Sequence, residues 1–594
     1  MFLKCTQRRK DGKSHRYWSL VENRRLRDGR VAQRHVLYLG EINDTQQEAW
    51  RRTIEVLDEG QSRQVALFAE TSVPMGDTDV VGLRLNELTL HHPRQWGACW
   101  LASVLWDSLK LGEFWSERLP RSRKGTRWTH VLQTLVTYRL IDPGSEWRLH
   151  RHWFTGSAMA DLLDADFALA SKDTLYRCLD KVLPHKDDLI AFLTQRWGEL
   201  FAVTFDVLLY DLTSTYVESD TAREEEDKRQ YGYSRDKRSD CRQVVIALIV
   251  TPEGFPLSYE VLSGNTADCT TLGDFLAKIE ARYGRANRIW CMDRGVPTEA
   301  TLGEMRQMGV SYLVGTPKGR LTALEADLLT RPWARVRDGV EVKCLPRAGE
   351  TYVLAMSEKR VHKERAMRRQ RLRRYIAQLK KLQARPPKRD QLLMKIAVAR
   401  KTAGRAAGLI ALTLPEVGEV VDKRTFRFAL DRQKLRKQRR REGRYLLRTN
   451  LTDEDPAKLW TFYVQLTEVE QAFKELKHDL AIRPLYHQLI HRIEAHIFVA
   501  FLAYCLQVTL KHQLKRRAPG LTPRSVLEKF KTIQMVDVEI PTTDGRRLTL
   551  SRYTQPEPEH RVLLDALALQ LPAQPPPKIT AKALATAARR QRAV

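Results

Sequence analysis

The chain has 594 residues, and its 101 Lys and Arg against 72 Asp and Glu leave a net charge of +29. Several domains are expected at roughly 100–200 residues each, and a 43% hydrophobic fraction excludes a chain disordered throughout. The most apolar run, His496 to Leu510, is about fifteen residues and contains Gln507, short of the ~20 needed to cross a bilayer.

The eight cysteines (Cys5, Cys99, Cys178, Cys241, Cys269, Cys291, Cys344 and Cys505) are scattered, with no CxxC pair. A disulfide scaffold or zinc ribbon is not expected, and a reducing, cytoplasmic setting is. The opening MFLKCTQRRKDGKSHRYW lacks the apolar stretch of a secretory leader. The cationic excess asks for a polyanionic partner but does not separate DNA from RNA or acidic lipid.

In chain order, residues 1–45 alternate apolar and polar around the turn signals Lys10-Asp11-Gly12 and Arg27-Asp28-Gly29, which predicts a small, basic, β-rich unit. A helix and linker are expected over 47–70. Residues 46–200 read as a mostly helical, DNA-binding region, with helices at Trp100–Phe114, Trp128–Leu140, Lys172–Leu183 and Asp187–Phe201 and a break at Asp142-Pro143-Gly144.

From 201 to 320 the period changes. Strands are expected at Val203–Tyr210, Gln243–Val250 and Phe255–Leu262, then helix Thr271–Tyr283, strand Arg288–Met292, helix Thr298–Met308 and strand Ser311–Thr316. Three strands followed by helix, strand, helix, strand is α/β, the order of a ribonuclease H-like mixed sheet. Residues 321–452 interrupt with strand-like stretches (Val336–Cys344, Thr351–Met356, Arg424–Leu430), a basic helix at Glu358–Leu382 and a cationic run at Arg432–Arg444. Helix resumes at Asp455-Pro456, an N-cap followed by Pro in the first turn, and the core continues over 453–535. A C-terminal extension (536–594) ends in a Pro-rich, then basic, tail.

Three acids stand out by position. Asp211 is read at the end of the first core strand and Asp293 at the end of the fourth, the sheet edge where ligands commonly bind. Over Tyr463–Leu480, Leu466, Val469, Phe473, Leu476 and Leu480 form one apolar stripe. Tyr463, Glu470 and Lys477, each seven apart, lie along its flank at steps of ~10 Å, and Glu470 is expected to face the sheet rather than bulk water. The Arg/Lys run at 359–374, with Arg368, Arg369, Arg371, Arg373 and Arg374, is the strongest candidate for contact with a nucleic-acid backbone. His487 and His491, at i and i+4, lack the Glu of an HExxH zinc site.

Together these segments resemble a known family: the DDE transposases of bacterial insertion sequences, in the branch whose signature reads Tyr-x2-Arg-x3-Glu-x6-Lys around the third acid. Tyr463, Glu470 and Lys477 match that spacing, while Leu466 stands where the signature has Arg and is read as core packing. YDLTSTYVES (210–219), GYSRDKRSDCRQVVIALIV (232–250), LSGNTADCTTL (262–272), CMDRGVPTEATL (291–302), VEQAFKELKHDLAIRPLYH (469–487) and IEAHIFVAFLAYCL (493–506) carry the likeness, which covers about 120–535. The role of Asp236, Lys237 and Arg238 within it is left open.

The resemblance implies a ribonuclease H-like core with a β-containing insertion before the last catalytic helix. It implies that Asp211, Asp293 and Glu470 are catalytic and hold two Mg²⁺ ions, with Mn²⁺ a substitute. Lys477 would bind phosphate, and Tyr463 the DNA backbone or a terminal base. The implied partners are double-stranded DNA, both the element's terminal inverted repeats and its target, and a second copy in a homodimer. Water would free a 3′-hydroxyl at the element end, and that hydroxyl would attack target DNA. The competing readings are a catalytically inactive or domesticated DNA-binding protein of the same fold, and a structure-selective nuclease. A tyrosine recombinase, which needs no metal, ranks below both.

Overall fold

Alternation over the first forty residues yields β1 (Phe2–Lys10), β2 (Lys13–Arg25) and β3 (Val31–Gly40), a three-stranded sheet of their own. A register shift at Leu20/Val21 turns both of these adjacent side chains inward, where they are buried with Leu37 and Leu39. The computed structural model describes residues 2–10, 13–25, 31–42, 46, 82–122, 125–218, 227–267, 271–283, 288–293, 295–316, 324, 327–328, 330–452 and 454–579. The turn residues Asp11-Gly12 and Arg27-Asp28-Gly29, the helix and linker expected at 47–70, and the basic tail from 580 lie outside the described residues.

Next come β4 (Thr89–Gln95), α1 (Gly97–Ser108), α2 (Leu111–Arg118), α3 (Trp128–Ile141), α4 (Lys172–Val182) and α5 (Lys186–Phe201). The single helix expected at Trp100–Phe114 is therefore two. Lys110 adopts a left-handed conformation (φ 54°), and the carbonyl of Ser108, orphaned at the end of α1, accepts from the Arg196 guanidinium at 3.2 and 3.0 Å.

The first core strands are β5 (Val207–Val217), β6 (Arg242–Val250) and β7 (Pro256–Ser263), paired antiparallel in sequence. Then follow α6 (Leu272–Tyr283), β8 (Ile289–Met292), α7 (Glu299–Gln307) and β9 (Ser311–Gly315), with β8 and β9 parallel. The next elements are β10 (Ala334–Arg337), β11 (Val340–Arg347), β12 (Glu350–Ser357), α8 (Glu358–Ala384) and α9 (Arg389–Ala403). After these come β13 (Ile410–Thr413), β14 (Arg427–Leu430), α10 (Arg432–Arg441), β15 (Arg444–Thr449) and α11 (Pro456–Lys474), which runs on as a π-helical turn, Glu475–Asp479. The chain ends with α12 (Ile490–Arg517), α13 (Pro523–Phe530), β16 (Gln534–Pro541), β17 (Arg547–Tyr553), α14 (Pro558–Leu567) and β18 (Lys578–Ile579).

The chain divides into two units: Met1–Thr6 with Tyr17–Thr270 and Thr467–Val594, and Gln7–Arg16 with Thr271–Leu466. The first is organised on α12. That helix alone among the described residues is long and apolar enough to cross a membrane, but 94% of its apolar window is buried inside the protein. Its Thr509 accepts from Trp197 Nε1 at 3.1 Å and its Tyr504 hydroxyl donates to the Gly254 carbonyl at 2.6 Å. In the same unit β4 pairs antiparallel with β16, and Arg94, buried, clamps Asp161 and Asp537 at 2.7 and 2.8 Å.

In the second unit β8, β9, β15, β12, β11 and β10 lie side by side, so that four strands of the insertion, β10, β11, β12 and β15, extend the sheet, while β13 and β14 pair apart from it. The helical part of the insertion has its own core of Leu372, Tyr375, Leu379, Leu392, Ile396 and Phe426. The fold is mixed α/β with a large mixed sheet. Its order of three antiparallel strands, helix, strand, helix, strand is that of a ribonuclease H-like core.

Candidate active site

Asp211 is the fifth of eleven residues in β5, opposite Leu248 of β6, and half-buried. The expectation that it ends the strand is corrected: pairing continues through Thr213, Ser214 and Thr215, all buried. The β-branched threonines suit a pleated, covered surface. Asp293 directly follows β8 and is exposed, with its carbonyl accepting from the Val296 N–H at 3.2 Å. Glu470 lies on α11 between the buried Val469 and Ala472, and its own side chain is exposed. The expectation that it faces away from bulk water is thus also corrected. The stripe beside it is as expected, with Leu466, Val469, Phe473, Leu476 and Leu480 all buried.

Leu466, in the place of the signature Arg, is a core residue. Tyr463 is half-buried in an aromatic group, its ring 5.8 Å from Tyr445 and 6.2 Å from Trp460, while the Arg360 guanidinium lies 4.1 Å over Tyr445. Lys477, in the π-helical turn, donates to Asp236 Oδ1 at 2.9 Å, and Arg483 pairs with the same oxygen. Burial pulls the Lys477 ammonium below its usual range, against the pull of Asp236. Burial works against the Asp236 charge as well, but its bonds to Arg483 and Lys477 outweigh that and hold it below the usual carboxylate range.

Of the arginines on α8, Arg369, Arg371, Arg373 and Arg374 are exposed. Arg368 is not: it is buried and bonded to the buried Glu442, which corrects the expectation of a surface contact there. Its spacing would have revealed this, since Arg368, Leu372, Tyr375 and Leu379 are 4, 3 and 4 apart on the buried stripe of α8.

Asp236 was visible in the sequence only as part of an unassigned segment. A second group is assembled from residues far apart in the chain, of which only His487 stands out in the sequence. Glu146, His487 and His496 are buried with possible ligand atoms all within 4.8 Å of one another. His487 Nε2 is 3.3 Å and His496 Nδ1 3.4 Å from the Glu146 carboxylate, and the Arg139 guanidinium is 3.7 Å from Glu146 and 3.3 Å from His496. Burial would raise Glu146, but hydrogen bonds from the two histidines keep it well below the usual range. Burial and Arg139 push His496 down to about 4. Arg139 already balances Glu146, so a divalent ion here would add two uncompensated charges in a desolvated place. We read the group as a polar clamp. His491 bonds Asp180 at 3.1 Å instead, so the two histidines of the i, i+4 pair serve different contacts.

Asp211, Asp293 and Glu470, the acids expected from the sequence, each offer only oxygen donors, and the latter two are exposed; carboxylate oxygens suit Mg²⁺ or Mn²⁺ better than zinc. Comparison with known families matches the transposase DDE domain over residues 204–506, just over half of the chain and including all three acids. The chain therefore belongs to the DDE transposase family. Residues 3–70 match the N-terminal domain of IS1634 family transposases, which makes the protein an insertion-sequence transposase. No curated protein matches the chain.

Proposed function

We propose that the protein cuts the ends of its own element by metal-dependent phosphodiester hydrolysis and joins the freed 3′-hydroxyls to target DNA. Asp211, Asp293 and Glu470 are the metal ligands in this reading. The observation that carries it is that all three acids fall inside the matched DDE domain, as the oxygen donors that such chemistry needs. When bound, a pair of divalent ions would relieve charge on the attacking and leaving oxygens. The chain's own part is to bind and orient DNA. The exposed arginines of α8 and the ten-residue α10, RQKLRKQRRR, offer cations for the phosphate backbone, and Tyr463 offers an aromatic face beside Tyr445, the ring that Arg360 covers. Two ends must be joined, so two copies act together.

The test is Asp211→Ala, Asp293→Ala and Glu470→Ala, each assayed for binding to a duplex of the element end and for nicking in Mg²⁺. Each variant binds and none nicks. Full cleavage by one of them removes that residue from the site. End binding by the unaltered protein with no nicking in either Mg²⁺ or Mn²⁺ replaces the reading with that of an inactive DNA-binding protein.

A further inference from the structure

Lys477 is expected to meet a DNA phosphate, yet its ammonium is spent on a carboxylate inside the protein. Asp236 Oδ1 accepts from Lys477 Nζ at 2.9 Å and also from Arg483, while side-chain exposures are only 9% for Asp236, 10% for Lys477 and 18% for Arg483. Both segments that bring these groups together are pinned to β5. The Arg235 N–H donates to Ser214 Oγ at 3.3 Å, and the Leu485 N–H donates to the Tyr216 carbonyl at 3.1 Å. Lys237, just after Asp236, takes a left-handed φ of 61° that turns the loop back.

We infer that Asp236 is a positioning residue, holding Lys477 and Arg483 side by side and charged so that the pair can receive one backbone phosphate. The inference rests on the transposase reading above and gives Asp236 a role that the sequence left open.

The charge count supports it. Two cations on one carboxylate leave a net positive charge, and Arg235 adds to the field on Lys477. A phosphodiester carries one negative charge, and Lys477 has three N–H donors, of which Asp236 takes one. Without Asp236, Lys477 would be a largely buried ammonium next to Arg483 and Arg235, and both burial and repulsion would favour its neutral form. The other groups in reach are already engaged or lie off the pair. His478 Nε2 is 3.4 Å from Arg483, Asp479 pairs with Arg524 at 3.1 Å, and the buried Glu475 lies 3.7 Å from Lys511. Asp236 is thus the carboxylate in direct contact with Lys477 among the described ion pairs.

The test uses the full chain and a duplex of the element end, with affinity measured against KCl concentration at pH 7 and pH 9. Each phosphate contact contributes about 0.9 to the slope of log K against log salt. The unaltered protein shows one slope at both pH values, and Lys477→Gln lowers it by about 0.9 at both. Asp236→Asn loses about 0.9 of the slope at pH 9, because Lys477 without its carboxylate partner gives up its proton more readily. Asp236→Asn with Lys477→Arg restores a slope that does not change with pH, because guanidinium stays charged. An Asp236→Asn slope equal to that of the unaltered protein at both pH values overturns the inference and leaves Asp236 a purely structural partner. Steeper slopes for Asp236→Asn at both pH values overturn it too, by making the carboxylate a competitor of the phosphate. Should Asp236→Asn fail to fold by circular dichroism, Lys477→Gln decides: an unchanged slope refutes the phosphate contact that the inference needs. Nicking is scored separately, so a protein that behaves this way in binding but never cleaves fails the transposase chemistry and not this role.

Discussion

Lowering the pH from 7.5 to 5 should destabilise the α12 core through one residue, His496. Burial and the Arg139 charge push its imidazole down to about 4 in the folded protein, against ~6.5 in an unfolded chain. Between those values the unfolded state binds a proton that the folded state refuses, so stability falls as pH falls and levels off below about 4. At ~1.4 kcal/mol per pH unit, the part of that window above pH 5 removes about 2 kcal/mol. The comparison that isolates it is urea unfolding of the unaltered protein and of His496→Gln at both pH values. Tryptophan fluorescence is a suitable signal because Trp115 touches Phe498 of α12, with ring centroids 6.1 Å apart, and Trp197 bonds Thr509. Other titrating groups cancel in the difference, and the variant should lose about 2 kcal/mol less than the parent. Equal losses in the two proteins would refute the reasoning, since His496 would then carry its proton in the folded state beside Glu146. A bound metal would also keep the ring deprotonated, so the measurement is repeated in EDTA. The polar-clamp reading expects no change, and a large fall in stability on chelation would show that Glu146, His487 and His496 hold an ion after all.

Three further outcomes follow from particular side chains. Glu442→Gln strands the buried Arg368 without its counterion and should cost the insertion about 3–5 kcal/mol, read as earlier urea unfolding with no matching effect from Arg369→Ala. The double variant Arg369→Ala with Arg373→Ala, both exposed, should instead leave stability within about 0.5 kcal/mol. It should flatten the salt dependence of DNA binding by up to about 0.9 for each phosphate no longer neutralised, and an unchanged slope would take α8 out of the DNA interface. Gly520→Ala places a Cβ 2.4 Å from Ile42 and 2.5 Å from the Leu39 carbonyl at a φ of +96°, so the N-terminal sheet should loosen and limited proteolysis within the first 81 residues should accelerate.

How far the sequence could be read depended on whether an element's partner lay nearby. The apolar run of β6, the breaker after α3 and the stripe of α11 are local signals, and each element formed close to where it was expected. β4 is the opposite case. Thr89-Leu90-His91-His92-Pro93-Arg94-Gln95 contains a proline and two histidines and gives no strand signal, yet it pairs with β16, more than 400 residues away. Proline is tolerated there because β4 is the edge of its sheet, with order β18-β17-β16-β4. The split between α1 and α2 has the same origin, as the guanidinium that takes up the Ser108 carbonyl comes from Arg196 on α5. The position of Asp211 within its strand is hidden from the sequence for another reason. Thr213-Ser214-Thr215 looks like the polar start of a loop, but those short side chains are buried in the continuing strand.

The Tyr463, Glu470 and Lys477 spacing shows where sequence periodicity stops being a guide to geometry. A straight α-helix would carry all three along one flank, and the sequence offers no proline or glycine between them to suggest otherwise. The helix nevertheless leaves the α pattern at Lys474 and widens into a π turn, closed by the Leu480 N–H on the Glu475 carbonyl at 2.9 Å. A π turn advances fewer degrees per residue, so residues after 474 are rotated back relative to those before it. Glu470, ahead of the change, stays open to solvent, while Lys477, within it, is nearly enclosed and meets Asp236. The Glu475 carboxyl, whose pKa burial raises, is packed beside Lys511 in the same turn. The widened turn thus places an acid for solvent and a lysine for an internal partner on one short stretch of chain. A deletion of one residue at 475–479, which would return the helix to the α pattern, should therefore break the Lys477–Asp236 pair while leaving Glu470 exposed. End binding should then lose one phosphate's worth of salt dependence, and a slope left unchanged would mean that the turn has no part in presenting Lys477.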